Sequence, residues 1–308
     1  MTVKLNTGYE CPLVGLGTYK IVGDEVLPVL DAALTAGYRL FDTAKVYNNE
    51  KEIGNAFELL LPKHHLKRED IFITTKLHPN TEENVNKMVN ESLENLKTNY
   101  IDMYLIHYPK SFDYSDEDPT NKILRIASWN ALCESKDERK IRSVGVSSYE
   151  IRHLEELREL GKVRETLSNS IKNNFPPCCN QVEYHPHFCR VELKNYCSSN
   201  NIFFQVSDTR ILLYQNVSQA FSSLARHNEG LLSSAIITEL SEKYDVPKTT
   251  ILLSWATSQC VGVIPKSTNP SRLSQNLKTV QLEEKEVLKI SELNLNQHYV
   301  RTTGWLVL

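Results

Sequence analysis

The stretch Ile101-Asp102-Met103-Tyr104-Leu105-Ile106-His107 is a short apolar run that ends on a polar residue. The stretches Leu40–Asp42 and Ile71–Lys76 have the same form and lie earlier in the chain. Buried runs of this length, separated by helical patterns, are typical of parallel strands joined by helices. The carboxyl ends of parallel barrel strands meet at one mouth. We therefore expect three polar side chains to converge there, namely Asp42, Lys76 and His107.

Strand and helix patterns alternate along the rest of the chain, and eight such units can be counted. The eighth strand is predicted at Val261–Ile264, and its helix at Pro270–Leu277. Two apolar segments flanking Thr7-Gly8-Tyr9 predict a β-hairpin that covers the bottom of the molecule. An open doubly wound sheet gives the same alternation, but the count of eight and the absence of GxGxxG after the first strand favour a barrel. The sequence thus predicts an α/β fold, a (β/α)8 TIM barrel with an N-terminal β-hairpin cap, as a single domain over residues 1–308.

Composition excludes several classes of protein. The chain is 41% hydrophobic and 24% charged with a net charge of −3, which indicates a globular protein and gives no electrostatic support for a nucleic-acid or anionic-membrane partner. No apolar run approaches the ~20 residues of a membrane span, and no secretory signal is evident. Seven cysteines without a CxxC pattern indicate reduced thiols and a cytoplasmic location.

Two cysteines and two histidines could suggest a metal site. Cys189 and Cys197 lie near His185 and His187 in the sequence, but their spacing matches no known zinc motif. Partly buried cysteines and surface histidines are the favoured interpretation, and no metal is predicted.

The polar residues at the strand ends suit delivery of a proton to a carbonyl oxygen. Tyr47, five residues after Asp42, would be the general acid, although free tyrosine titrates near 10. A lysine ~4 Å away contributes about 4 kcal/mol at an effective dielectric near 20, so Lys76 would lower the pKa of Tyr47. Asp42 would keep Lys76 charged, and His107 would donate to the substrate oxygen.

Each of these four residues also has an ordinary structural explanation. Asp42 could cap a turn, Tyr47 could be a rim aromatic, Lys76 a solvated amine and His107 a satisfied polar group. For any one residue alone the structural explanation is favoured. The position of all four around the ends of strands two, three and four makes coincidence the weaker explanation.

Several motifs resemble the aldo-keto reductase family. They are FDTAKVYNNEKEIG at Phe41–Gly54, ITTKL at Ile73–Leu77 and IDMYLIHYP at Ile101–Pro109, followed in order by GVSSY, NQVEYHP and IPKSTNPSRLSQN. The resemblance covers nearly the whole chain. It implies a barrel that reduces aldehydes or ketones with NADPH and uses no metal, with Asp42, Tyr47, Lys76 and His107 as the catalytic set.

The resemblance also implies a cofactor site. Its residues are Thr18, Ser147, Ser148, Gln181, Phe221, Lys266, Ser267, Arg272 and Asn276. Ser148 stands where asparagine is common, and Gln275 replaces the usual glutamate. A helix N-terminus at Pro270 would attract a phosphate, and the clamp of Lys266, Ser267 and Arg272 favours NADPH over NADH. The substrate pocket would include Tyr19, His107 and Tyr108.

Two stretches depart from the family pattern, near residues 163–176 and 206–219. Helix five is expected to end at Gly161-Lys162, and strand seven at Gln205, so each stretch reads as an insertion of about 14 residues, which is long for a connection beside a cofactor. Phe221 would then have to reach the nicotinamide from beyond the second insertion. In-frame unspliced introns would explain both stretches, and a genuine loop is the alternative.

The predicted function is NADPH-dependent reduction of a small carbonyl substrate by a protein that resembles monomeric enzymes. A catalytically weak or inactive barrel is the alternative, acting as a regulatory or structural cofactor-binding protein or arising as a mis-spliced product.

Overall fold

The computed structural model describes residues 1–167, 174–206, 228–299 and 307–308. Ten strands lie in these ranges: β1 (Thr2–Lys4), β2 (Glu10–Pro12), β3 (Leu16–Gly17), β4 (Leu40–Asp42), β5 (Phe72–Leu77), β6 (Ile101–Ile106), β7 (Ile141–Ser147), β8 (Cys179–Val182), β9 (Phe203–Val206) and β10 (Gly262–Val263).

Helices follow the strands on the outside of the sheet. They are α1 (Val26–Ala36), α2 (Glu50–Lys63), α3 (Glu82–Asn95), α4 (Thr120–Asp137), α5 (Ile151–Leu167), α6 (Val191–Ser199), α7 (Glu229–Leu232), α8 (Ala235–Tyr244), α9 (Lys248–Thr257), α10 (Pro270–Leu277) and α11 (Glu284–Ser291).

Strands β3 to β10 form one parallel sheet in which each strand pairs with the next in chain order. The sheet closes on itself, because Val263 N donates to Leu13 O (2.7 Å) and Gly15 N donates to Val263 O (2.9 Å). The predicted (β/α)8 barrel is therefore confirmed. Apolar residues of the strands and of the inward helix faces form its main core, which includes Leu30, Phe41, Tyr104 and Trp255.

The predicted N-terminal hairpin is also confirmed, with β1 and β2 pairing antiparallel. A second apolar cluster lies beneath the barrel, where Leu5 and Leu13 pack with Leu40, Phe72 and Phe203 at the starts of their strands. The hairpin therefore covers the amino ends of the strands and leaves the carboxyl ends to form the open mouth.

Helix α2 includes Pro62 in its last turn. A proline there removes only the bond to the carbonyl of Glu58, which is exposed and can be hydrated. Helix α5 continues to Leu167 instead of ending at Gly161-Lys162, so the first residues of the supposed insertion extend this helix. Residues 168–173 of the first supposed insertion, and all of the second except Val206, lie outside the described residues.

Every described element from β1 to α11 belongs to the barrel or its cover, and the assignment of the whole chain to one domain stays a prediction. None of the helices in the described ranges is long and apolar enough to cross a membrane.

Gly54 lets α2 pack closely against the end of α3. A Cβ at this position would lie 2.1 Å from Asn95 O and 2.8 Å from the carbonyl carbon of Leu96, both of them backbone atoms. We predict that Gly54→Ala lowers the free energy of unfolding by about 1–3 kcal/mol, because the two helices must separate. Urea unfolding measures this, with Asn55→Ala at the neighbouring exposed position as the control. An equal effect of the two substitutions would show that the close approach is unimportant.

Candidate active site

Asp42 and Lys76 form a buried ion pair at the carboxyl ends of β4 and β5. The side chain of Lys76 is 0% exposed and that of Asp42 is 3% exposed. Lys76 Nζ donates to Asp42 Oδ1 and to Thr43 O (2.9 Å). Burial lowers the pKa of Lys76 and raises that of Asp42, and their mutual attraction opposes both shifts. Lys76 lies inside β5 and not beyond its end.

Tyr47 lies beside this pair, on a short 3-10 turn formed by Lys45–Tyr47 after β4. Its side chain is buried. Lys76 Nζ is 5.2 Å from the centre of the Tyr47 ring, and the ring of His107 is 5.7 Å away in an edge-on contact. The four residues predicted as the catalytic set are therefore brought together at one mouth.

His107 follows β6 and is 2% exposed. Burial, followed by the charge of Lys76 and the neighbouring His78, lowers its pKa well below the usual value, so the ring is neutral at neutral pH. Both ring nitrogens are buried, and neither makes a hydrogen bond within the described residues. A neutral imidazole offers one donor and one acceptor, and here both are available to a ligand.

Gln181, at the carboxyl half of β8, joins this group. Its Nε2 donates to Asp42 Oδ2 (3.0 Å) and to Gln205 Oε1 (2.9 Å). Its Oε1 is buried and makes no hydrogen bond within the described part of the chain. The two acceptors fix the amide so that its oxygen can accept from a ligand, as a nicotinamide carboxamide would require.

Three other predicted cofactor residues lie close to the mouth but use their polar groups within the protein. Ser147 Oγ donates to Gln181 O (2.8 Å), and Ser148 N donates to the same carbonyl oxygen (2.9 Å). Thr18 Oγ1 donates to Asp42 O (2.9 Å). Each hydroxyl retains lone pairs, so these contacts do not prevent it from accepting a hydrogen bond.

The predicted phosphate clamp surrounds the start of α10. The Asn269 side chain caps this helix by accepting from Arg272 N (3.2 Å), and Pro270 occupies its first turn. Ser267 is buried and accepts from Asn269 N (3.1 Å), whereas the side chain of Arg272 is exposed. Lys266 is half-buried in the segment leading to the helix, and Asn276 is buried within it.

The predicted substrate residues also lie at the mouth. The ring of Tyr19 packs 5.1 Å from that of Tyr47, and Tyr108 is buried beside His107. Burial raises the pKa of Tyr108 above its usual value. Phe221, predicted to stack on the nicotinamide, falls outside the described residues.

The two histidines of the possible metal site have hydrogen-bond partners within the protein. His185 and His187 are buried, so their interpretation as surface histidines is wrong. His185 contacts the carboxylate of Glu183 (Nε2 to Oε1, 3.0 Å), and His187 contacts the hydroxyl of Tyr299 (2.6 Å). Among the residues with a described placement, no three His, Cys, Asp or Glu side chains are arranged to hold a metal ion.

Sequence reasoning missed Asn49 and Gln205. Asn49 precedes α2, where asparagine normally caps the helix, but its Nδ2 donates instead to Thr18 O and Ile21 O (both 2.9 Å). Its Oδ1 accepts from Thr43 Oγ1 (2.6 Å), so one buried side chain joins the loops after β3 and β4. The position of Asn49 directly before a helix was a signal, but it indicated a cap. Gln205 carried no signal, because it lies in a run predicted only as a strand.

A closed parallel barrel thus holds a buried carboxylate, amine, phenol and imidazole together at its mouth. The model of the Aldo/keto reductase family matches residues 13–295. The chain belongs to this family.

Relatives and solved structures agree with this assignment. The chain is 33% identical to human aldo-keto reductase family 1 member C2, over 97% of this chain and 93% of the relative. It is 29% identical to the NADPH-dependent D-xylose reductase of Meyerozyma guilliermondii, over 99% and 98% of the two chains. The structure of the aldose reductase from Schistosoma japonicum superimposes with a TM-score of 0.78 at 29% identity, covering 97% of this chain and 94% of that one.

The buried, neutral His107 makes stability depend on pH. Below its usual pKa near 6.5 the unfolded chain binds a proton at this residue that the folded chain does not, so the free energy of unfolding falls as the pH falls. We predict that, between pH 7 and pH 5, the free energy of unfolding falls by about 2 kcal/mol less in His107→Asn than in the wild-type protein. Urea unfolding at both pH values measures this.

The control is His65→Asn, which changes an exposed histidine. It should leave the pH dependence of the wild-type protein in place. An equal fall in the free energy of unfolding between pH 7 and pH 5 for the wild-type protein and His107→Asn would mean that His107 is protonated in the folded state.

Proposed function

We propose that this protein reduces aldehydes or ketones to alcohols with NADPH, using Tyr47 as the general acid. The observation that carries the proposal is the position of the Lys76 ammonium 5.2 Å from the Tyr47 ring, in a site from which water is largely excluded. A cation this close to a phenol favours the phenolate. The charge of Lys76 therefore suits Tyr47 to the role of proton donor.

His107 and Tyr47 act on the carbonyl oxygen of the substrate. His107 is neutral and can donate one hydrogen bond to that oxygen, which orients the substrate. Tyr47 Oη gives its proton to the same oxygen as the carbon–oxygen double bond becomes a single bond. The charge left on the phenolate is stabilised by Lys76, which Asp42 holds in place. NADPH, when bound, supplies the hydride that goes to the carbonyl carbon.

Two sets of residues suit this cofactor. Gln181 presents a fixed amide oxygen at the mouth, which has no hydrogen-bond partner among the described residues and could accept from a carboxamide N–H. Lys266 and Arg272 provide positive charge at the start of α10, where the helix dipole also favours a phosphate. A relative described as NADPH-dependent supports the choice of NADPH over NADH. A monomeric state and a cytoplasmic location stay predictions.

We predict that Tyr47→Phe lowers kcat for aldehyde reduction by at least ~100-fold, since the general acid is lost. The affinity for NADPH, measured by quenching of intrinsic fluorescence, should not change. Tyr9→Phe is the control, because Tyr9 is an exposed tyrosine at the opposite end of the barrel. Reductase activity that survives Tyr47→Phe would contradict the assignment of Tyr47.

The clamp is tested by replacing its charged members. Lys266→Ala with Arg272→Ala should weaken NADPH binding by about 10- to 100-fold, since charge-assisted hydrogen bonds to the 2′-phosphate are lost. Binding of NADH, which lacks this phosphate, should not change. Lys278→Ala removes an exposed charge at the other end of α10 and should have no effect. An equal loss of affinity for both cofactors would show that Lys266 and Arg272 do not bind the 2′-phosphate.

A further inference from the structure

A pocket of about 220 Å3 lies at the end of the barrel opposite the mouth, and none of the roles described above uses it. It is surrounded by residues 3–6, helix α6, the amino end of β9 and the segment that leads into β10. The proposed reaction centre lies at the carboxyl ends of the strands. The two sites are therefore separated by the length of the barrel.

The inner wall of this pocket is apolar. Leu5, Ile202, Phe203 and Val261 line it, and all four side chains are buried. A wall of this kind favours a ligand with an apolar body. Because an apolar cavity of about 150 Å3 is enough to bind benzene in another protein, a pocket of about 220 Å3 has room for one ring with a small substituent.

The charged residues that line the pocket are both cationic. They are Lys4 on β1 and Lys194 on α6, and no carboxylate of the described residues lines it. Neither lysine forms an ion pair within the described ranges. Glu10 lies opposite Lys4 in the hairpin, but its carboxylate accepts from Thr2 Oγ1 (2.7 Å). The rim of the pocket therefore carries positive charge without a paired carboxylate, which attracts an anion.

The ammonium group of Lys194 is held in a fixed position. Its Nζ donates to Gln259 Oε1 (2.5 Å) and lies 5.8 Å from the centre of the Tyr184 ring. Gln259 is itself fixed, because its Oε1 also accepts from Tyr184 Oη (3.1 Å) and its Nε2 donates to Trp255 O (2.8 Å). Burial lowers the pKa of Lys194. A half-buried cation without a counter-ion is unfavourable, and a bound anion would offset this cost.

We propose that this pocket binds a small aromatic carboxylate, with its ring against the apolar wall and its carboxylate between Lys4 and Lys194. An inorganic anion would leave the apolar wall uncovered, and a neutral ring would leave the two ammonium groups without a counter-ion. A nucleotide is too large for a pocket of this volume. The inference goes beyond the proposed reductase function and does not depend on it.

The test is a titration of the full chain with benzoate, followed by NMR on protein labelled with 13C at the methyl groups of valine and isoleucine. Val3, Ile202 and Val261 report on the pocket, because all three line it. Ile106 directly precedes His107 and reports on the mouth. Benzamide is titrated in parallel, since it has nearly the same shape as benzoate and carries no charge.

Two variants are compared with the wild type. Lys194→Met removes the ammonium and keeps an unbranched apolar side chain that can pack against Tyr184. Lys87→Met is the matched control, because Lys87 is an exposed lysine on α3, on the opposite side of the barrel from α6. The methyl spectrum of each variant also shows whether it is folded.

Benzoate should shift the methyl signals of Val3, Ile202 and Val261 with a Kd in the millimolar range, as is usual for so small a ligand. Benzamide, and benzoate with Lys194→Met, should each bind at least ~10-fold more weakly, because a charge-assisted contact is lost. Lys87→Met should bind benzoate as the wild type does.

Three results would overturn the proposal. The first is a set of shifts that includes Ile106 and leaves the three signals of the pocket unchanged. The second is equal affinity of the wild type for benzoate and benzamide, which tests the role of charge even where a variant fails to fold. The third is an equal loss of benzoate affinity in Lys194→Met and Lys87→Met.

Discussion

The buried ion pair between Asp42 and Lys76 is the interaction on which the rest of the site depends. Removing two charges from water costs several kcal/mol for each ion, and only good geometry with further hydrogen bonds offsets this. Here Lys76 Nζ also donates to Thr43 O, and Asp42 also accepts from Gln181 Nε2. The pair therefore requires the ends of β4, β5 and β8 to lie together, and this requirement fixes the shape of the mouth.

The electrostatics of the other residues follow from this pair. Its ammonium faces Tyr47, and the same charge helps to keep His107 neutral. In a site with little water such effects are stronger than at a surface. Several buried side-chain atoms at the mouth make no hydrogen bond within the described ranges, which is unfavourable unless a polar ligand supplies the partners. Among them are His78 Nε2, both ring nitrogens of His107, Gln181 Oε1 and Gln205 Nε2.

The sequence predicted those parts of the site that depend on local pattern. Asp42, Lys76 and His107 could be identified because a polar residue at the end of a buried strand is conspicuous, and eight repeated units predicted the barrel. Contacts between distant segments could not be identified in this way. Asn49 has the sequence position of a helix cap but bonds to the loop after β3, and Gln205 acquires its role only when β9 lies beside β8. The cofactor residues around α10 were predicted from the family resemblance and not from local pattern.

The pKa of the Tyr47 phenol tests the central claim most directly. It can be measured by NMR on protein labelled with [13Cζ]tyrosine, with Tyr47→Phe to assign the signal. Burial alone raises the pKa of a tyrosine, as it does for Tyr38, Tyr104 and Tyr149. The account predicts that Tyr47, although buried, titrates below the ordinary value of about 10 because Lys76 faces it. A pKa at or above 10 would contradict the claim that the Asp42–Lys76 pair prepares Tyr47 to act as the acid.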